Sequence, residues 1–97
     1  MSSVVTGSAG LLGHCLVERL RARGEAVRQI DVVGGPDTLA IDLRDGTAVT
    51  DAVAGADVIY HLAAAQRMKP QFRTLSEDEI FTMNLAGVRN VLAAAER

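Results

Sequence analysis

Several things are scarce in this chain, and each scarcity removes a class of protein. Aromatic residues make up 3% of its 97 residues: one Tyr, two Phe and no Trp. The interior must therefore be built from Val, Leu, Ile and Ala, and apolar residues in total reach 48%. Cys15 is the single cysteine, so no internal disulfide can form, and a reducing cytoplasm is the expected compartment. No apolar run approaches the roughly 20 residues of a membrane helix. The N-terminus has neither the basic start nor the long apolar segment of a secretion signal. A surplus of positive charge is also missing, since ten Lys and Arg stand against twelve Asp and Glu for a net charge of −2. That argues against a nucleic-acid surface, which needs a basic footprint. There is no repeat, low-complexity tract or linker, and this length suits one small domain.

What is present begins at Val4–Gly13, Val-Val-Thr-Gly-Ser-Ala-Gly-Leu-Leu-Gly. Gly7, Gly10 and Gly13 stand three apart, between a β-branched strand at Ser3–Thr6 and an amphipathic helix at Leu11–Arg23. Strand, glycine turn and helix in that order form the context of a dinucleotide-binding loop. An early glycine permits a sharp turn, a middle one a close approach to a pyrophosphate, and the last close packing of helix on strand. The helix start then directs N–H groups and the positive end of its dipole at the phosphates. Leu12, Leu16 and Leu20, with Val17 beside them, form the expected buried side of this helix. Gly24 is a candidate C-cap, and the arginines at 19, 21 and 23 read as a solvated face. His14 reads as a surface residue and Cys15 as a small core residue.

A second strand at Ala26–Asp31 ends in Asp31, 18 residues after Gly13, where a Rossmann unit sets an acid on the adenosine ribose. A carboxylate there accepts ribose hydroxyls and repels a 2′-phosphate. Val32 and Val33 follow, with no arginine to hold such a phosphate, so NAD is favoured over NADP. Gly34-Gly35-Pro36-Asp37 is a turn by composition, and Thr38–Ile41 reads as a third strand with Asp42-Leu43 at its exit. Asp45 is a candidate N-cap for a short helix at Thr47–Ala54. Val58–Ala63 reads as a strand covered on both faces. Tyr60 and His61 lie inside it and read as structural. Gln66–Leu75, with Arg67, Lys69, Pro70 and Arg73, is an expected polar loop. Ser76-x-x-Glu79 is a capping box opening a last helix at Glu77–Glu96. Phe81, Leu85, Val88 and Leu92 are its expected apolar stripe, and Asn84 lies beside that stripe and needs hydrogen-bond partners.

Taken together, Thr6-Gly7-x-x-Gly10-x-x-Gly13, Asp31, Asp42-Leu43, His61-Leu62-Ala63-Ala64 and Asn84–Leu92 resemble the extended short-chain dehydrogenase/reductase superfamily, and within it the NAD-dependent epimerases and dehydratases. The resemblance runs from Val4 to Ala95. It implies a Rossmann-like α/β fold, with helices on both faces of a four-stranded parallel sheet in the order 3-2-1-4. It assigns the pyrophosphate to Gly7, Gly10, Leu11, Leu12 and Gly13, and the ribose to Asp31. Asp42 and Leu43 would border the adenine, Leu62, Ala63 and Ala64 would let the nicotinamide ribose approach, and Asn84 would lie near the cofactor. Arg89 and Leu85 replace the threonine and valine usual in the last segment. Family chemistry uses a Tyr-x-x-x-Lys pair, but Tyr60 is followed by Ala64 four residues on, so no catalytic residue is assigned. The expected reading is residues 1–97 as one NAD-binding domain, the truncated N-terminal half of an enzyme acting on a nucleotide sugar. A 3β-hydroxysteroid dehydrogenase or carbonyl reductase stands as an alternative, and so does a non-catalytic module that senses NAD(H) or binds a protein. The expected partner is the dinucleotide, with self-association through an open sheet edge at Val58–Ala63.

Overall fold

The computed structural model describes residues 1–65 and 72–96. In chain order the elements are β1 (Ser2–Thr6), α1 (Leu11–Ala22), β2 (Ala26–Asp31), β3 (Thr38–Ala40), α2 (Gly46–Val53), β4 (Val58–His61) and α3 (Glu77–Ala95). The four strands pair in parallel in the order β3-β2-β1-β4, as the resemblance implies. Among the described residues, no helix is long and apolar enough to cross a membrane.

β1 is the centre, and its β-branched residues suit a strand covered on both faces. Ser3, Val4, Val5 and Thr6 are fully buried. Successive side chains alternate between faces. Val4 therefore joins Ile30, Val49, Val53 and Val91 in a core with α2 and α3, while Val5 meets Val17 and Leu20 of α1 on the other side. Complete burial of each valine stabilises the fold by about 1.5–3 kcal/mol. In the paired register Thr6 stands opposite Ile30 on one side and His61 on the other. The C-terminal ends of the strands thus gather at one edge, where the loops of the site begin.

The helix boundaries follow local chemistry. Just past the end of α1 stands Gly24, whose φ of +81° is open to glycine. There Gly24 N–H donates to Arg21 and Glu25 N–H to Leu20, closing the last turn. Asp45 caps α2 by accepting from Ala48 N–H at 3.1 Å. Ser76 and Glu79 form the expected reciprocal box at the start of α3.

Four expectations need correction. On α1, Gly13, Val17 and Leu20 are buried as expected, but Leu12, expected beside them, is 68% exposed. Cys15 is exposed. The buried side of α3 is Gly87, Val91 and Ala94, while Phe81, Leu85, Val88 and Leu92 face outward. The reason is distance: a Cβ on Gly87 would lie 3.3 Å from the Cβ of Leu43, so α3 packs through its small residues. The fourth strand is shorter than expected, ending at His61. It lies at the edge of the sheet and is half-buried throughout, not covered on both faces. The expected polar loop at Gln66–Leu75 falls outside the described residues over 66–71.

Candidate functional site

The glycine loop leaves β1 by a turn that only glycine makes without strain: Gly7 has φ +73°. Its N–H donates to the Ile30 carbonyl at 2.8 Å. A side chain on Gly7 would also strike the backbone of Ala63, whose nitrogen would lie 2.7 Å from the added Cβ. Gly13 is excluded from change for another reason. A Cβ there would overlap the Gly7 carbonyl and come within 2.9 Å of Ser8 Cα. The first turn of α1 thus rests on the loop that precedes it.

Gly10 differs from both. Its φ of −75° and ψ of 165° are open to any residue. Among the described residues, an added Cβ would meet only the Gly7 carbonyl, at 3.4 Å. Neither backbone strain nor a neighbour among the described residues requires glycine at this position. Gly10 also caps α1 without any side-chain hydrogen bond, and the first turn carries no acid. The N–H groups of Leu11, Leu12 and Gly13 have no carbonyl one turn earlier within the helix. Space beside a helix start with uncompensated N–H groups is what a phosphate needs.

Asp31 ends β2 next to this loop. Its Oδ2 accepts from Ala9 N–H at 3.0 Å and its Oδ1 from Val33 N–H at 3.1 Å. Each oxygen has about two acceptor positions, so each keeps one, and the carboxylate is already oriented. Asp31 shares a cleft with Gly7, Asp42, Leu43, Ala63, Ala64 and Asn84. Gly10, Leu11, Leu12, Gly13 and Leu62 lie outside that cleft. Leu62 packs toward Val5 on the α1 side of the sheet, while Leu11, 85% exposed, and Leu12 stand on the first turn of α1.

The cleft's far walls are tied by side chains. Asn84 accepts from Ala65 N–H at 2.6 Å and donates to the Ala65 carbonyl at 3.1 Å. Asn90 donates to the Leu43 carbonyl at 2.7 Å. One helix therefore fixes the exits of both β3 and β4. Thr6 adds to the hold on the β4 exit from the sheet. Its buried hydroxyl accepts from Leu62 N–H at 3.1 Å and from Ala63 N–H at 3.2 Å. Leu62 N–H is shared with the Thr6 carbonyl at 3.2 Å; with these two N–H groups on its oxygen, the hydroxyl is assigned as donor to His61 Nδ1, 2.8 Å away. His61 is thereby held as the neutral tautomer with the proton on Nε2. Burial pushes its pKa below the ordinary 6.5.

Sequence reasoning missed Thr6, His61, Arg44 and Asn90 as parts of the site. His61 and Arg44 line the cleft. Arg44 forms a fork with Asp42, Nη2 to Oδ2 at 2.6 Å, and this holds the Asp42 carboxyl below its usual range. Thr6 and Asn90 stood inside the quoted motifs, but a motif does not show which hydroxyl or amide reaches across to another loop. Among the described residues no group of three potential metal ligands is found.

The model of the NAD dependent epimerase/dehydratase family matches residues 3–97. A sterol demethylase protein B of Methylococcus capsulatus is 38% identical over 107 aligned residues, covering all of this chain and 31% of that protein. A 3-beta-hydroxysteroid dehydrogenase of Mycolicibacterium neoaurum is 33% identical, covering 97% of this chain and 28% of that protein. Among solved structures, a short-chain dehydrogenase/reductase superfamily protein of Agrobacterium tumefaciens with bound NAD superposes with a TM-score of 0.80. It is 36% identical over 98% of this chain and 29% of its own. The chain thus spans about a third of the length of the relatives it matches.

Proposed function

The chain belongs to the NAD-dependent epimerase/dehydratase family, and we propose that its 97 residues hold the adenosine and pyrophosphate of NAD. The observation that carries this reading is Gly10, a glycine that packing among the described residues does not require. Beside it the loop backbone and the first turn of α1 receive the pyrophosphate. Asp31, with one acceptor position left on each oxygen, receives the two ribose hydroxyls. Asp42 and Leu43 border the adenine, and Ala63 and Ala64 leave room for the next ribose. When bound, NAD supplies a hydride acceptor, and this chain's residues supply its placement.

In its full-length form we propose that the protein oxidises a secondary hydroxyl. The two curated relatives, named for sterol demethylation and for 3-beta-hydroxysteroid oxidation, favour a steroid-type alcohol. A nucleotide sugar is the alternative that the family resemblance offers.

The cofactor reading is tested by titrating NAD and NADP into the chain. NAD is expected to bind more tightly, because a 2′-phosphate meets the Asp31 carboxylate. The Asp31→Asn variant is expected to narrow the difference. Equal affinity for the two dinucleotides in the unaltered chain would contradict the role given to Asp31.

A further inference from the structure

We propose that Arg44 is a positioning residue that holds the Asp42 carboxylate as acceptor for the exocyclic amine of adenine, so that the chain rejects a purine with a carbonyl at that place. This rests on the cofactor reading above. It starts from how completely Arg44 engages its neighbour. Arg44 Nε donates to Asp42 Oδ1 at 3.0 Å and to Oδ2 at 3.1 Å, and Nη2 donates to Oδ2 at 2.6 Å. The Arg44 backbone N–H adds a fourth contact, to Oδ1 at 2.9 Å. Both residues line the cleft with Asp31 and Leu43.

A carboxylate offers about four acceptor positions. Three donors reach it: the backbone N–H on Oδ1, Nη2 on Oδ2, and Nε shared almost equally between the two oxygens. About one of the four positions is left open, and the fork holds the carboxylate plane that contains it. Stability is not its main consequence, because both side chains are about half exposed and such pairs contribute little. What the fork fixes is orientation. The planar guanidinium is suited to this, and a lysine ammonium is not.

The backbone beneath is held by other groups. Asn90 ties the Leu43 carbonyl to α3, and Asp45 caps α2. Removing the guanidinium therefore leaves the carboxylate held only by the backbone N–H of residue 44, able to rotate about that one bond, without releasing the loop. A carboxylate that rotates spends part of its time turned to water and distinguishes an amine from a carbonyl less sharply.

The test uses NAD and nicotinamide hypoxanthine dinucleotide, in which a carbonyl oxygen replaces the adenine amine. Both are titrated into the unaltered chain, Arg44→Gln and Arg44→Lys, with circular dichroism confirming that all three are folded. The unaltered chain is expected to prefer NAD by about tenfold, the size of one charge-assisted hydrogen bond. Both variants are expected to reduce that preference to about twofold. The loss should fall on NAD alone, with the hypoxanthine dinucleotide bound as before. A variant that weakens both dinucleotides equally, or keeps the full preference, overturns the role of Arg44. An unaltered chain that shows no preference overturns the assignment of adenine to Asp42, and the inference with it. Binding of neither dinucleotide overturns the cofactor reading itself.

Discussion

The glycine loop after β1 and the exits of β3 and β4 meet in one region of the molecule, but they are held by opposite means. The glycine loop is shaped by side chains that are missing. At Gly7 and Gly13 an added Cβ would strike backbone atoms of Ala63, Gly7 and Ser8. The other two exits are shaped by side chains that reach across, from Thr6, Asn84 and Asn90. The first kind of restraint is steric and has no tolerance. The second is a set of hydrogen bonds, each contributing about 0.5–1.5 kcal/mol net and costing more when a buried partner is left alone. Substitutions should therefore separate the two regions by size, and pH should reach only the second.

The largest effect is expected at Gly13. Within an ordinary helix, replacing glycine by alanine stabilises by about 1 kcal/mol. Here the Cβ would overlap the Gly7 carbonyl. Gly13→Ala should instead destabilise, by about 3 kcal/mol or more. Urea unfolding of the two proteins measures it, and a stabilised variant would break the steric side of the comparison.

A smaller loss is expected at Asn84. Asn84→Ala leaves the N–H and carbonyl of the buried Ala65 without their side-chain partner. The expected cost is about 2–3 kcal/mol, together with faster amide exchange at Ala65. No change in exchange at that site would mean that the β4 exit is held by something else.

The smallest effect is a pH dependence at His61. Its folded pKa lies below 6.5 because burial disfavours the cation, so the unfolded chain takes up the proton first. Stability from this group is complete above about pH 6.5 and is lost as pH falls through the folded value. Protonation also sets Nδ1–H against a Thr6 hydroxyl that already accepts from two N–H groups. Asp42 and Glu79 are shifted downward from 3.8 and 4.5, so their contributions are lost only at lower pH. Thermal unfolding from pH 7.5 to 5 should show the decline, and His61→Asn, whose carbonyl can still accept from Thr6, should flatten it.

The same comparison explains what was legible in the sequence. Gly7, Gly10 and Gly13 could be read directly, because a missing side chain at fixed spacing is itself the structural statement. Asp31 was legible as the acid at a strand end, and Asp45 and Ser76 as caps, since each acts within a few residues of itself. The α3 stripe was misread because periodicity weighs apolar size. Gly87 and Ala94 were chosen for closeness, which left Phe81 and Leu92 outside. Thr6 was seen as a motif letter and His61 as strand filling. Their bond joins residues 55 apart, and nothing local announces it. Arg44 stood two residues from Asp42, but the fork depends on the loop bend that Asn90 helps to set.

Gly10 belongs to the glycine loop by sequence, yet it obeys neither restraint. Its Cβ direction is open and its dihedral angles suit any residue. Nothing among the described residues accounts for such a glycine, and the proposed pyrophosphate would. The decisive measurement is therefore a calorimetric titration of NAD into the chain and into Gly10→Val, with the unfolding free energy of each determined in parallel. The expected result is stability unchanged within about 1 kcal/mol, the scale of altering an N-cap, and NAD affinity reduced at least about tenfold, or 1.4 kcal/mol. A Gly10→Val variant that folds equally well and binds NAD as tightly as the unaltered chain would contradict the account.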